Sequence, residues 1–343
     1  MVEAKYGGNP FYMLNRPCVL GEAPIYRESD STLHYVDVFH DPPQLHILSL
    51  DPTTGDALYP NDEPDISKAI SLQKDNVSIP GLRVLNLKES ITVQCFRKGI
   101  ENSYICAYHQ GVGFLDEKTG EMEVAKELIP LNEKHLKRFN DGAVDCKGRF
   151  WLAEIDFNLK NFSGKYSEYL PSKHGKLTGK LWRYDPNGDL TTMDEGIICG
   201  NGLGWSPDNK IFYMNDSIPQ LVYAYDFDSE TGNISNKRVF VDRKLEGGGE
   251  PDGMVVDIDG NLWISMFGIS SVAVYNPNGE LIKTLKFGAK KLTCPTWGGK
   301  DHNIMYVVSS YDTDENKDEN DYGGQLFKYH TDTTGLRKNE FAG

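Results

Sequence analysis

The chain reads as short apolar runs cut at close intervals by turn residues. Ile211-Phe212-Tyr213-Met214 is one such run, and its aromatic and β-branched composition predicts a packed strand. Ahead of it stands Ser206-Pro207-Asp208-Asn209, where proline pre-sets φ and the next two residues tolerate turn geometry. Ahead of that lies Asn201-Gly202-Leu203-Gly204-Trp205, a first strand headed by a polar amide. This strand–turn–strand pattern recurs. Ile211 lies ten residues after Asn201, Leu262 ten after Asp252, and Phe150 ten after Asn140. Glu22 heads another copy, with one extra turn residue before Leu33. Two weaker copies end in Tyr104-Ile105-Cys106 and Met305-Tyr306-Val307. Their leading positions, near Val93 to Cys95 and Thr293 to Cys294, hold no acid.

A second pattern interleaves with the first: a strand, then Asp or Asn, then a glycine that supplies positive φ for a hairpin turn. It runs Asp51 to Gly55, Asp116 to Gly120, Asp185 to Gly188, Asp226 to Gly232, Asn276 to Gly279 and Lys328 to Gly335. The turn glycines are 65, 68, 44, 47 and 56 residues apart. The two patterns alternate six times. Four short strands per repeat at such spacing predict an all-β fold, a six-bladed β-propeller forming one domain over 1–343. The two long spacings predict insertions at 57–89 and 157–176. The first lies beside an inner strand pair and is expected to shape a mouth over it. Helical periodicity is weak, and only Glu121 to Leu136 reads as a short helical region, which Pro130 would break. The N-terminal piece is expected to supply the outer strand of the last blade and so close the ring.

In a propeller the innermost strands line a channel, so equivalent leading positions face one another across it. Glu22, Asn140, Asn201 and Asp252 are equivalent in the repeat. Glu22, Asn201 and Asp252 offer two carboxylates and an amide carbonyl. That hard-oxygen set suits one divalent cation: Ca2+, Mg2+, Mn2+ or, less selectively, Zn2+. Taken singly, Asp-Gly and Asn-Gly are turn dipeptides. Turn chemistry does not explain Glu22-Ala23-Pro24 at the same repeat position, and buried carboxylates require a cation or a proton.

The formal net charge of −14 argues against nucleic acid as a partner, since phosphate backbones need a basic surface. The same charge serves solubility and suits a cation held in an acidic mouth. None of the six cysteines forms a C-x-x-C pair, which favours buried free thiols. Met1 to Leu20 carries no signal-peptide pattern, and no run approaches the ~20 apolar residues of a membrane span. The expectation is a cytoplasmic protein without membrane contact; the sequence sets no oligomeric state. G-x-S-x-G, H-E-x-x-H and P-loop patterns are all absent. The histidines are scattered, and His34, His40, His46, His109 and His302 read as strand and loop residues rather than a ligand set.

Four segments together resemble the gluconolactonase/regucalcin family, also called senescence marker protein-30. They are Gly21-Glu22-Ala23-Pro24, Arg138-Phe139-Asn140-Asp141-Gly142, Asn201-Gly202-Leu203-Gly204-Trp205-Ser206 and Pro251-Asp252-Gly253-Met254. The resemblance runs in order over nearly the whole chain. It implies a six-bladed propeller that binds one divalent cation and hydrolyses aldonolactones. Carried over by position, it implies metal ligands at Glu22, Asn201 and Asp252 and substrate contacts at Arg138 and Asn140. It implies a further acid at Asp216, with Asp252 or Asp216 as general base. The stretch Leu152 to Asn158 departs from the family's small-residue pattern, which leaves Glu154 either at the sugar or at the surface. Phe39 to Leu45 is similar to fungal lactonases of the rhamnose and related sugar pathways. A small sugar lactone is the expected partner. Two alternatives stand beside this reading: ester or organophosphate hydrolysis on the same metal, and a non-enzymatic calcium-handling propeller.

Overall fold

The computed structural model describes residues 2–58, 78–79, 81–157, 177–311, 318 and 320–343. Among the described residues the named elements are β-strands and two short 3-10 turns. After β1 (Glu3–Gly8), the first blade comprises β2 (Gly21–Arg27), β3 (Thr32–Asp37), β4 (Gln44–Ser49), β5 (Ser78–Ile79) and β6 (Leu82–Asn86). The second comprises β7 (Ile91–Arg97), β8 (Ile100–Tyr108), β9 (Gly111–Asp116) and β10 (Met122–Glu127). The third comprises β11 (Lys137–Val144), β12 (Phe150–Asp156), β13 (Gly179–Tyr184) and β14 (Leu190–Ile197). The fourth comprises β15 (Gly200–Trp205), β16 (Ile211–Asp216), β17 (Leu221–Asp228) and β18 (Asn233–Asp242). The fifth comprises β19 (Glu250–Val256), β20 (Leu262–Phe267), β21 (Ser271–Tyr275) and β22 (Leu281–Phe287). The sixth comprises β23 (Leu292–Gly298), β24 (Ile304–Ser309) and β25 (Phe327–His330). Six separate sheets of consecutive strands make the fold a six-bladed β-propeller.

The chain divides into two compact units. One holds Met1–Ser90 and Met254–Arg337, with the first, fifth and sixth blades. The other holds Ile91–Gly253 and Lys338–Gly343, with the second, third and fourth blades.

Each turn is held by local chemistry. Asp145 Oδ1 accepts from the backbone N–H groups of Lys147 and Arg149, while Oδ2 accepts from Trp151 Nε1 at 2.9 Å. Asp257 repeats the device with Asp259, Asn261 and Trp263. One carboxylate therefore closes the turn and anchors the indole of the next strand. Five of the six outer-turn glycines have positive φ, as the pattern predicts, and each donates to the carbonyl of the turn's Asp or Asn. In the fourth blade that residue is Asp228, not Asp226. Gly335 is the exception. Its φ is not positive, its N–H goes to His302 O, and a Cβ there would overlap the Trp297 indole. Its glycine answers to a close approach rather than to a hairpin.

Aromatics fill the spaces between sheets. In the second unit, Trp151, Trp205, Phe212 and Phe227 form one contiguous cluster, with Trp151 and Phe212 centroids 5.0 Å apart. Each such side chain contributes about 2–3 kcal/mol by leaving water. The C-terminal segment belongs to this unit. Phe341 packs against Phe114 and Tyr184, and its N–H and C=O bond Phe96 O and Lys98 N.

Several expectations are corrected here. Glu121 to Leu136 holds no helix: Met122–Glu127 is the outer strand of the second blade, and Pro130 precedes a 3-10 turn at Leu131–Glu133. β9 pairing at Met122 to Glu127 outweighs weak helical periodicity. The N-terminal strand β1 pairs in parallel with β22 of the fifth blade, while Tyr12 bridges the sixth at Leu326 and Leu14 bonds the Gln325 side chain. Leu82–Asn86, within the expected 57–89 insertion, pairs with β4 as a regular blade strand. Residues 59–77 and 80 of that insertion, and 158–176 of the other, lie outside the described residues, and the expected lid falls largely on them. All six cysteines are free, and five are buried, but Cys146 is exposed.

Candidate functional site

Five of the inner strands share one irregularity. Register slips between Glu22 and Ile25 in β2, Ile91 and Val93 in β7, and Phe139 and Gly142 in β11. It slips again between Asn201 and Leu203 in β15 and between Leu292 and Pro295 in β23. A bulge leaves a residue unpaired and re-aims its side chain. The leading positions Glu22, Asn140 and Asn201 fall in or beside these bulges. Gly142 is required there, because a Cβ would lie 2.4 Å from Trp151 O. In β2 the bulge forces Ala23 to a φ of 48°.

Within the second unit, hydrogen bonds tie together β11, β15, β16 and the start of β19. Asn140 Nδ2 donates to Gly200 O at 3.0 Å. Asn201 Nδ2 donates to Ser217 Oγ at 3.0 Å, and Ser217 Oγ donates to Pro251 O at 2.7 Å. Asn215 Nδ2 donates to Asp252 O at 2.5 Å. This chain of contacts brings Asn140, Asn201 and Asp252 into one neighbourhood. Cys199 lies there too: burial first, then the charges of Asp216, Asp252 and Glu250, push its thiol well above the ordinary range.

The Ser217 hydroxyl decides how the Asn201 amide is turned. A hydroxyl has one hydrogen, and Ser217 places it on Pro251 O. Toward Asn201 it can only accept, so the amide nitrogen must face it. Asn201 Oδ1 is then directed away from Ser217, with no hydrogen-bond donor to it among the described residues. Asn201 and Asp252 are 7% and 6% exposed, so most of each residue is covered by protein.

Asp216 stands differently. Its Oδ1 accepts from Cys199 N at 2.9 Å and its Oδ2 from Ile198 N at 3.2 Å. Burial raises its carboxyl to about 6 against the pull of those amides. Asp37, at the same point of the first blade, accepts from Leu20 N and Val19 N in the same way. Glu154 is fully buried. Its Oε1 accepts from Trp182 Nε1 at 2.8 Å and its Oε2 from Lys180 N at 3.2 Å, with Lys137 Nζ 3.6 Å away. Burial raises its carboxyl, and Trp182 and Lys137 oppose that.

Arg138 is 8% exposed, with its guanidinium 5.6 Å from the Phe157 ring centroid. Its charge adds to burial in holding His109 below the usual imidazole range. Glu22 is the second residue of β2 in the first unit, paired in register with Val36. The sequence reading missed Ser217 and Asn215, which orient Asn201 and Asp252. Their only signal was position, flanking Asp216 at the end of an apolar strand.

Residues 20–311 match the model of the SMP-30/gluconolactonase/LRE-like region. Regucalcin of Bos taurus is 35% identical over 302 residues, covering 88% of this chain and 86% of its own. A Bacillus subtilis protein with a provisional sugar lactone lactonase name is 25% identical over 328 residues, covering 95% and 96%. Among solved structures, regucalcin of Agrobacterium tumefaciens, named a calcium-binding protein, superposes with a TM-score of 0.75. It is 19% identical, and 99% of each chain is covered.

Proposed function

This chain belongs to the SMP-30/gluconolactonase/LRE-like family, and we propose that it hydrolyses sugar lactones, 1,4- or 1,5-aldonolactones, to aldonic acids. The reading rests on family membership together with one observation. Asn201 is turned so that its carbonyl oxygen, not its nitrogen, is the atom left to offer, beside the Asp252 backbone that Asn215 pins. A hard cation needs oxygen at that point. Asn201 and Asp252 would hold one divalent cation, joined by Glu22 on the strength of its equivalent place in the repeat. When bound, that cation supplies Lewis-acid polarisation of a carbonyl.

The protein's own groups account for the remaining chemistry. Asp252 accepts the proton of the attacking water and returns it to the ring oxygen that leaves. Asp216 serves by holding the approach to β15, since both of its oxygens are engaged by Ile198 and Cys199. Asn140 spends its nitrogen on Gly200 O, so its carbonyl oxygen is the acceptor for a sugar hydroxyl. Arg138 orients the ring from its place beside Phe157. Glu154 supports this wall from within the sheet through Trp182 and Lys180.

The test is a panel of five- and six-carbon aldonolactones followed by acid release in weak buffer, with Ca2+, Mn2+, Zn2+ or Mg2+ and with chelator. Ring opening above the spontaneous rate that is lost with chelator and restored by one metal supports the proposal. Full-rate opening by chelated protein overturns the metal requirement. Cation binding without any ring opening overturns the lactonase reading in favour of calcium handling.

A further inference from the structure

Glu22 and Asn201 are each the last paired residue of their inner strand before the register slips, Glu22 with Val36 and Asn201 with Asn215. Beyond each of them the ladder is interrupted. Their placement therefore depends on the residues that lead in, 19–21 in the first unit and 198–200 in the second.

The two lead-ins are built alike. In the first unit Asp37, 2% exposed, accepts from Val19 N on Oδ2 at 2.9 Å and from Leu20 N on Oδ1 at 3.0 Å. Val38 N donates to Leu20 O, Ser310 Oγ to Val19 O and Thr293 Oγ1 to Gly21 O. In the second unit Asp216, also 2% exposed, takes Ile198 N on Oδ2 and Cys199 N on Oδ1. Ser217 N donates to Cys199 O, Asp156 N to Ile198 O and Asn140 Nδ2 to Gly200 O. Position for position, the same backbone groups are taken by the same sources: the acid that ends the second strand, the residue after it, and the preceding blade. Each lead-in also ends on a glycine pressed by that preceding blade. A Cβ on Gly21 would lie 2.8 Å from Ser309 O, and one on Gly200 2.3 Å from Ala153 Cβ. The last residues of other second strands serve other ends. Asp156 of β12 holds Thr178 through Oδ2, and Ser309 of β24 donates to Gln325 O.

We propose that Asp37 is a positioning residue for Glu22: by gathering both amides of the lead-in, it places Glu22 in the first unit as Asp216 places Asn201 in the second. The functional consequence rests on the cation reading above. Both oxygens of Asp37 are taken by backbone amides, so it acts through Glu22 and not on the cation. A carboxylate is acceptor-only and can serve both amides, whereas an asparagine would turn an NH2 toward one of them. The stakes are high at this point, because a slip of one residue in a strand turns its side chains to the opposite face.

The experiment uses the full chain, the variant Asp37→Asn and the control Thr293→Val, which removes one contact to the same segment and leaves both amides on Asp37. Mn2+ affinity by calorimetry, urea unfolding, and aldonolactone kinetics at limiting and saturating Mn2+ are read together. Asp37→Asn is expected to weaken Mn2+ binding about tenfold, with saturating Mn2+ restoring most of kcat, the pattern of a displaced ligand. Thr293→Val is expected to lose stability and keep its Mn2+ affinity. A folded Asp37→Asn variant that binds Mn2+ within twofold of wild type overturns the proposal. An equal loss of affinity in Thr293→Val also overturns it, since affinity would then follow stability alone. If Asp37→Asn does not fold, amide exchange at Val19 and Leu20 in wild-type protein decides. Linkage requires Mn2+ to slow both amides, by about threefold or more, if their capture favours binding. Unchanged exchange on Mn2+ binding overturns the proposal. Wild-type protein that binds no Mn2+ and opens no lactone defeats the functional reading itself. That result is distinct from a wild type and an Asp37→Asn variant that bind Mn2+ equally well.

Discussion

β15 and β23 are the innermost strands of the fourth and sixth blades, and both lose register near their leading residue. The side chains there differ in what they have left to give. Thr293, on β23, is fully buried and donates its only hydroxyl hydrogen to Gly21 O at 2.5 Å. Asn201, on β15, spends its nitrogen on Ser217 and keeps a carbonyl oxygen. The partner strands end differently too. Ser309 closes β24 with a hydroxyl on Gln325 O, while Asp216 closes β16 by gathering two backbone amides. The bulge thus belongs to the scaffold. Under the proposed function, chemistry enters where a leading side chain keeps a polar atom, as Asn201 does.

Four substitutions break or sharpen that contrast. The largest effect is expected at Asp252, the charged member beside Asn201. Asp252→Asn should lower kcat on aldonolactones by about 1000-fold with the fold intact, since ligand charge and base are lost together. Steady-state kinetics beside far-UV circular dichroism checks this, and retention of a tenth of wild-type activity would refute the assignment.

Next comes Asp216. Its buried carboxyl titrates near 6, above the ~4 of an unfolded chain. The folded state holds this proton between those values while the unfolded state has released it. Stability is therefore highest near pH 4, falls as pH rises toward about 6, and is level in this group's contribution above that. The loss is on the order of 3 kcal/mol. Asp216→Asn should flatten this fall, measured by urea unfolding without added metal at pH 4.5 and 7. Equal slopes in both proteins would count against the buried-carboxylate account.

Ser217→Ala tests whether the amide of Asn201 needs its anchor. Cation affinity should drop roughly 10-fold, in the range seen when a hydrogen bond orienting a ligand is removed. Calorimetry with Mn2+ reads this directly, and unchanged affinity would show that Asn201 orients itself. The smallest effect belongs to the contrasting strand. Thr293→Val should cost about 1 kcal/mol of stability through one lost internal hydrogen bond, with catalysis unaltered. Any change in KM at this position would mean the sixth blade does more than carry the fold.

The repeat, the blade count and the turns are legible in the chain because each depends on neighbours a few residues away. Asp145 closes its turn on Lys147, Arg149 and Trp151, all within six residues. The leading positions Glu22, Asn140, Asn201 and Asp252 follow from the same local period. Where locality fails, so does the reading. Gly335 fits the turn pattern in sequence, yet its glycine is dictated by Trp297, 38 residues back. Glu154 is absorbed by Trp182 and Lys180 of the adjoining strand.

Residue types and their period therefore determined which positions can carry oxygen donors. Tertiary structure alone decided which atoms of those donors remain to be used. Asn201 is an amide in the sequence. It presents a carbonyl oxygen only because Ser217, 16 residues on, has already given its hydrogen to Pro251 O, 34 residues further. A polar side chain has a fixed number of donors and acceptors, and distant backbone groups determine how many are consumed. That count is a property of packing, which no local pattern encodes.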